Sequence, residues 1–349
     1  MTTRDAGFAV AQDEQVAVRR IGVVGCGRIG RMHAGILAEM PGFTVAGLAD
    51  AVPAAAESVS AATGAPVMTI EQLLAADDID TVAICSSTDT HADLVVAAAQ
   101  AGKAVFCEKP VSLSLAEVDR ALTAVDDAGV PFMIGFNRRF DPGHQAVRDA
   151  VASGGIGDLH LLRVTSRDPA PPPPEYVAGS GGIFLDMAIH DFDMARYVAG
   201  SDVVEVYARG AVRVDPRIGE AGDIDTAVVV MTHADGTLTT IDNSRQAVYG
   251  YDQRIEAFGS GGMAVSDNPA RHNAWVRTGE ATVGQPLPWF FLERYVESYR
   301  REWAAFHAYL TQGGPSPAGT DAARACTTAA LAAGLSLREG RAVRVEEIG

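Results

Sequence analysis

The feature that most constrains this chain is Gly25-Cys26-Gly27-Arg28-Ile29-Gly30, a Gly-x-Gly-x-x-Gly that directly follows an apolar run and opens a helix-length segment. Glycines mark many turns, so the spacing alone is weak evidence, and the context strengthens it. Gly25 permits a tight turn, Gly27 lets the backbone approach a pyrophosphate, and Gly30 allows helix to pack closely on strand. A helix N-terminus is then aimed at the negative charge, with Arg28 and Ile29 in the same turn as further candidate cofactor contacts. Asp50 closes the next apolar run about 20 residues after the last glycine, where a carboxylate accepts hydrogen bonds from the adenosine ribose hydroxyls. It would repel a 2′-phosphate, and Ala51-Val52-Pro53 supply no arginine to hold one, so the expected cofactor is NAD. A simple strand-end turn residue is the competing reading of Asp50, and the glycine spacing favours the cofactor.

From residue 21 onward, short apolar runs at 21–25, 44–49, 81–85, 104–107 and 132–136 alternate with helical stretches such as 54–62, 91–101 and 115–128. That is the βαβ rhythm of a parallel sheet, with Gly102 and Gly129 placed to stop helices. The expected N-terminal unit is a Rossmann domain over 21–140, preceded by a flexible polar extension over 1–20. After Phe140 the rhythm changes. Gly154-Gly155 and the proline run at 169–174 break the chain, the latter read as a stiff extended loop. Segments 203–212, 226–232, 237–244, 254–258 and 263–266 then alternate or run apolar between turn clusters. The expected fold is α/β, with a C-terminal α+β domain over 141–349 built on a large, mostly antiparallel open sheet. Its last helices can pack back on the first domain. Aromatics at 291, 295, 299, 303 and 306, with Leu310, recur three or four apart and read as a core-facing stripe.

With 349 residues the chain exceeds one ordinary core, which suits two domains. Its 44 acidic against 28 basic residues give a net charge of −16, which repels nucleic-acid backbones and anionic membrane surfaces. Cysteines at 26, 85, 107 and 326 show no Cys-x-x-Cys spacing and read as free thiols in a reducing compartment. No signal-peptide core or bilayer-spanning run is visible, so a cytoplasmic protein is expected.

Two further segments carry chemistry. Ser86, Ser87 and Thr88 end the third apolar run at the carboxyl edge of the sheet, where open α/β sheets bind ligands, although loop capping explains them about as well. His33 and His91 near this edge read as structural, with His91 also counted among the candidate cofactor contacts. Glu108-Lys109-Pro110 follows a buried strand, an unusual place for a merely solubilising lysine, and puts Glu108 and Lys109 near the cofactor's reactive end. Pro110 limits the backbone of Lys109 and could stand on a cis bond.

The second segment runs from Gly181 to Asp193. If it is one helix, Asp186, His190 and Asp193 share a face at i, i+4 and i+7. Oxidising an alcohol requires a proton acceptor while hydride leaves the same carbon, and histidine suits that task near neutrality. His190 is the candidate acceptor, Lys109 would stabilise the developing alkoxide, and Asp186 would orient His190 or a neighbouring hydroxyl. A structural Asp–His pair is the commoner outcome of such spacing, and a metal site has the least support because no His-x-x-x-His or cysteine cluster accompanies it.

Taken together, these residues resemble the Gfo/Idh/MocA family from about Ile21 to the C-terminus. Gly135-Phe136-Asn137-Arg138-Arg139-Phe140-Asp141-Pro142, Ser166-Arg167-Asp168-Pro169, Tyr249-Gly250-Tyr251-Asp252-Gln253-Arg254 and Phe291-Leu292-Glu293-Arg294-Tyr295 are similar to the branch of that family that oxidises inositols. The resemblance implies NAD-dependent oxidation of a cyclitol ring hydroxyl, with myo-inositol at its 2-position first in line. It implies Lys109, Asp186 and His190 as the catalytic set, with Asp193 and Tyr251 facing substrate. Asn137, Arg138 and Asp168 follow as further pocket candidates. It also implies a homotetramer assembled through the C-terminal sheet. An uncharged polyol wants carboxylates and amides such as Asp186, Asp193 and Asn137, whereas a phosphorylated sugar would want an arginine cluster. Scyllo-inositol, another isomer or a pyranose remain open, because ring stereochemistry is read by a few contacts that no motif encodes. A non-catalytic regulator on the same fold would keep the glycine loop and lose Lys109 and His190, and a scaffold would leave the polar stripe without purpose.

Overall fold

A computed structural model describes residues 17–349. The expected flexible extension falls, over 1–16, outside the described residues; its last two residues, Arg19 and Arg20, are already in the first strand. The N-terminal domain comprises β1 (Arg19–Val24), α1 (Arg28–Glu39), β2 (Phe43–Ala49), α2 (Pro53–Thr63), α3 (Ile70–Ala75), β3 (Thr81–Ile84), α4 (Thr88–Gln100), β4 (Ala104–Cys107), α5 (Leu115–Ala128) and β5 (Phe132–Ile134). The strands form a five-stranded parallel sheet in the order β2-β1-β3-β4-β5. Every residue of β3 and β4 is buried, as strands covered by helices on both faces must be. Strand order reverses between β1 and β3, so the crevice at their carboxyl ends is the natural ligand site.

Beyond a 3-10 turn at Asn137–Phe140 the chain continues through α6 (Pro142–Ala152), β6 (Leu159–Arg167), α7 (Pro174–Ser180), α8 (Gly182–Asp186), α9 (Ile189–Ala199), β7 (Val203–Ala211) and α10 (Pro216–Glu220). It then runs through β8 (Thr226–His233), β9 (Leu238–Ser244), β10 (Asp252–Gly259), β11 (Gly262–Ser266) and the small hairpin of β12 (Val276–Arg277) and β13 (Thr282–Val283). The chain closes with α11 (Phe291–Arg294), α12 (Val296–Gln312), α13 (Thr320–Glu339) and β14 (Val343–Arg344). The second sheet has seven strands in the order β11-β10-β6-β9-β8-β7-β14. It is antiparallel except where β6 runs parallel to β9.

β6 is absent from the strands expected above. Its inward residues Leu162, Val164 and Ser166 are buried, but they follow the Gly154-Gly155 break and precede the prolines, and that punctuation masks a period-2 strand.

Helices α6, α9 and α13 cover one face of this sheet, burying Ala227, Val229 and Met231 of β8. The other face leaves Val228 and Val230 of β8, Phe258 of β10, and Met263 and Val265 of β11 open. The aromatic stripe of α11 and α12 serves chiefly the first domain, with Tyr295 also meeting His144 of α6 and Tyr251. Tyr295, Tyr299, Trp303 and Phe306 join the core of the first domain against Phe106. The alanine-rich α13 is shared, with Ala322, Ala323 and Cys326 in the first core and Ala329, Ala330, Ala332 and Ala333 in the second.

Candidate active site

The glycine loop joins β1 to α1. Gly25 adopts φ 93, and a Cβ there would lie 2.3 Å from the Ser86 backbone nitrogen. A Cβ at Gly30 would meet the Gly25 carbonyl at 1.8 Å, whereas one at Gly27 would meet nothing within 4 Å. The loop is thus closed on the strand side and open above Gly27. Helix α1 has no side-chain cap among the described residues and no acidic residue in its first turn, so its leading N–H groups are offered to an anion. Arg28 lies over the Phe290 ring at 5.5 Å, and Ile29 is half-buried behind it. At the end of β2, Asp50 Oδ2 accepts from Cys26 N at 2.6 Å and Oδ1 from Val52 N at 2.7 Å. The carboxylate therefore braces both the glycine loop and its own turn, and it keeps lone pairs free at a half-exposed position. An uncapped helix end, open space at Gly27 and a strand-end carboxylate fit a dinucleotide without a 2′-phosphate.

Ser86, Ser87 and Thr88 lead into α4 against this loop. The Ser86 hydroxyl bonds the Thr90 hydroxyl at 2.6 Å, and Thr90 also donates to the Ser87 carbonyl at 2.8 Å. His91 is not a cofactor contact in this geometry. Its ring is 2% exposed, and its nitrogens lie 2.8 Å from the Pro110 carbonyl and 3.1 Å from the Ser86 carbonyl, so it staples two loops together.

Glu108 and Lys109 follow β4, and the Lys109-Pro110 peptide is cis. Trp303 Nε1–H donates to His33 Nδ1 at 2.9 Å, which leaves His33 Nε2–H to donate to Glu108 Oε1 at 2.8 Å. Glu108 Oε2 in turn accepts from the Lys109 backbone N–H at 3.2 Å. Burial alone would raise the Glu108 carboxyl, but the His33 hydrogen bond and the Lys109 charge hold it below its usual range.

Lys109 Nζ donates to the Asp186 carbonyl at 2.9 Å and lies 4.0 Å from Asp186 Oδ1. Two corrections follow for the segment from Gly181 to Asp193. It is not one helix: α8 ends at Asp186 and α9 begins at Ile189, so the three polar residues do not form one stripe. Of the two partners expected for Asp186, His190 or a neighbouring hydroxyl, it takes a hydroxyl and not His190, since its oxygens accept from Tyr176 Oη at 2.8 Å and Arg245 Nη1 at 3.1 Å.

His190 opens α9 with its ring edge against Phe136, and its Nδ1 is buried without a partner among the described residues. Burial, then the Lys109 and Arg138 cations, push the imidazole well below its usual range. The Lys109 ammonium thus lies close enough to a neutral His190 for its charge to act on the ring.

The floor beneath them is a set of matched charges. Arg138 donates to Asp191 Oδ1 at 2.5 Å, and Asn243 donates to the other Asp191 oxygen at 2.8 Å. Arg138 also reaches Ser166 Oγ at 3.3 Å and Tyr251 Oη at 3.5 Å. Asn137 is 3% exposed and its Nδ2 has no partner among the described residues. Asp168, at the end of β6, is pushed up to about 6 by burial, with Arg245 opposing and Asp186 adding to the shift.

Asp193 does not sit at the open face. It is 1% exposed, and its two oxygens take the Arg139 guanidinium at 2.5 and 2.9 Å, which corrects the expectation that it contacts substrate. Sequence reasoning also missed Tyr176, Arg245 and Asp191, and the buried Glu302, which burial and then Glu108 and Asp193 push well above its usual range. Only Asp191 carried a signal, as the charged neighbour of His190 inside a quoted motif. Among the described residues no cluster of three metal-ligating side chains occurs, and no helix is long and apolar enough to cross a membrane.

Comparison with known proteins places this geometry. A family described as oxidoreductases with an NAD-binding Rossmann fold matches residues 19–136, and a GFO/IDH/MocA C-terminal domain matches residues 144–265. The chain is 46% identical over 331 residues to the myo-inositol 2-dehydrogenase of Thermotoga maritima, which covers 94% of this chain and 99% of the relative. It superposes on the crystal structure of a myo-inositol dehydrogenase from Corynebacterium glutamicum with a TM-score of 0.89 at 40% identity, covering 94% of this chain and 98% of that one. The scyllo-inositol dehydrogenase of Lactobacillus casei, solved with NAD(H) and scyllo-inositol, superposes with a TM-score of 0.88 at 29% identity, covering 94% and 99%.

Proposed function

The chain belongs to the Gfo/Idh/MocA oxidoreductase family, and from that premise we propose that it oxidises a ring hydroxyl of a cyclitol, with myo-inositol at its 2-position as the substrate. The observation that carries this reading is the pairing of Lys109, which follows β4 at the carboxyl edge of the parallel sheet, with a neutral His190 on which its charge acts, in a chain whose glycine loop opens an uncapped helix. Bound NAD supplies the hydride acceptor. His190 takes the hydroxyl proton as the C–H bond yields its hydride, so the alcohol becomes a ketone and one proton is released per turnover. Lys109 has three donors, of which the Asp186 carbonyl takes one, and the rest can hold the developing alkoxide.

The substrate class follows from the charges. Arg138, Arg139 and Arg245 each pair with a carboxylate, which disfavours a phosphate there, while Tyr251, Asp168 and Asn137 suit neutral hydroxyls. The likeness to a scyllo-inositol dehydrogenase favours that isomer as the second reading. Initial rates of NADH formation with myo-, scyllo- and D-chiro-inositol, glucose and xylose test both. Preference for myo-inositol is expected; preference for scyllo-inositol moves the substrate, and silence across the panel defeats the reading.

The bare apolar face of the seven-stranded sheet supports assembly through that face, as a tetramer. Replacing Val230 and Val265 by aspartate is expected to reduce the sedimenting mass to that of smaller species. An unchanged mass would place the subunit contact elsewhere.

A further inference from the structure

Asp186 is held from three sides that the sequence does not connect. Its carbonyl accepts from Lys109 Nζ at 2.9 Å, its Oδ2 accepts from Arg245 at 3.1 Å, and its Oδ1 accepts from the Tyr176 hydroxyl at 2.8 Å. Oδ1 is also the oxygen 4.0 Å from the Lys109 ammonium. Arg245 is 1% exposed and belongs to the floor, whereas Tyr176 is 50% exposed and arrives from the opposite side on α7, just after the proline run. A carboxylate at the end of a five-residue helix turns freely about its last torsion unless both oxygens are engaged. With Arg245 on one oxygen and Tyr176 on the other, its plane is set and Oδ1 is left beside Lys109.

We propose that Tyr176 is a positioning residue for the oxidation, fixing the Asp186 carboxylate so that the Lys109 ammonium stays aimed at the substrate oxygen. The proposal rests on the dehydrogenase reading above. The phenol suits the task because it keeps its proton to donate: burial, and then the neighbouring Asp186 charge, push its ionisation far above neutral pH. Lysine has a flexible stem and three equivalent donors, so without a fixed counter-charge its head samples several directions. The half-exposed ring contributes little to either core, so its role separates cleanly from stability.

The test is Tyr176→Phe in the full-length protein, with the polyol and NAD. Turnover is expected to fall roughly ten- to hundredfold, the usual weight of a hydrogen bond to an ionised group. The NADH dissociation constant from fluorescence titration and the melting temperature should not move. In an Asp186→Ala background the same change should cost less than twofold, because the acceptor is already gone. A second readout is free of activity: in protein labelled with ¹³C at tyrosine Cζ, the resonance lost in Tyr176→Phe should shift in Asp186→Ala. Wild-type turnover in Tyr176→Phe, an additive loss in the double variant, or an unmoved resonance would each overturn the proposal. Should the wild-type protein oxidise no polyol, the dehydrogenase reading fails, and the resonance still decides whether Tyr176 holds Asp186.

Discussion

Replacing His190 by alanine is expected to lower turnover by about two to four orders of magnitude while leaving NADH binding intact. The expectation rests on placement as well as residue type. His190 sits at the first turn of α9, half-buried, beside Lys109 but outside the glycine loop and the Asp50 turn that would hold the dinucleotide. Its ring is held neutral, because burial and the Lys109 and Arg138 cations all disfavour the imidazolium. A neutral base is lost only when pH falls through its depressed pKa. The acid limb of the turnover profile should therefore lie below the usual histidine range near 6.5.

Asp168 is pushed up to about 6 by burial, so an inflection that it causes there should vanish in Asp168→Asn and persist in the residual turnover of His190→Ala. Turnover of the alanine variant within a few fold of wild type would remove His190 from the chemistry.

The second large effect is expected at Lys109. Replacing it by methionine keeps the length and apolar stem and deletes the ammonium, and turnover should fall about 10²- to 10³-fold, as when a donor to a developing oxyanion is removed. The variant should still fold. Lys109 is partly exposed, and Asp186 keeps Tyr176 and Arg245 as partners, so no buried carboxylate is stranded. Arginine is not expected to rescue it, since a planar fork cannot replace a point charge aimed at one oxygen. A methionine variant with turnover within threefold of wild type would mean that the alkoxide is stabilised elsewhere, and an unchanged melting temperature shows that the loss is chemical.

The legible part of this protein is local. The turn at Gly25, the close approach at Gly30 and the brace at Asp50 are set within one strand-turn-helix unit, where steric limits act on neighbours in the chain. The β6 strand was masked by its flanking glycines and prolines, because punctuation reports where a chain turns and not what it pairs with. The segment from Gly181 to Asp193 shows the limit most clearly. Its spacing suggested one continuous helix, yet the chain breaks at Met187-Ala188, and each acidic residue then meets a different arginine.

Those arginines are distant in sequence: Arg245 reaches Asp186, Arg138 reaches Asp191 and Arg139 reaches Asp193. The same holds behind Glu108, where Trp303 of α12 fixes the proton of His33 across 270 positions of chain. The sequence by itself determined the βαβ unit, the cofactor edge, the two-domain division and the presence of a lysine and a histidine suited to alcohol oxidation. Only the tertiary structure decided which carboxylates face the crevice and which are spent on buried guanidiniums. Backbone geometry obeys short-range sterics that a sequence displays, whereas charge pairing is settled by which surfaces the folded cores press together.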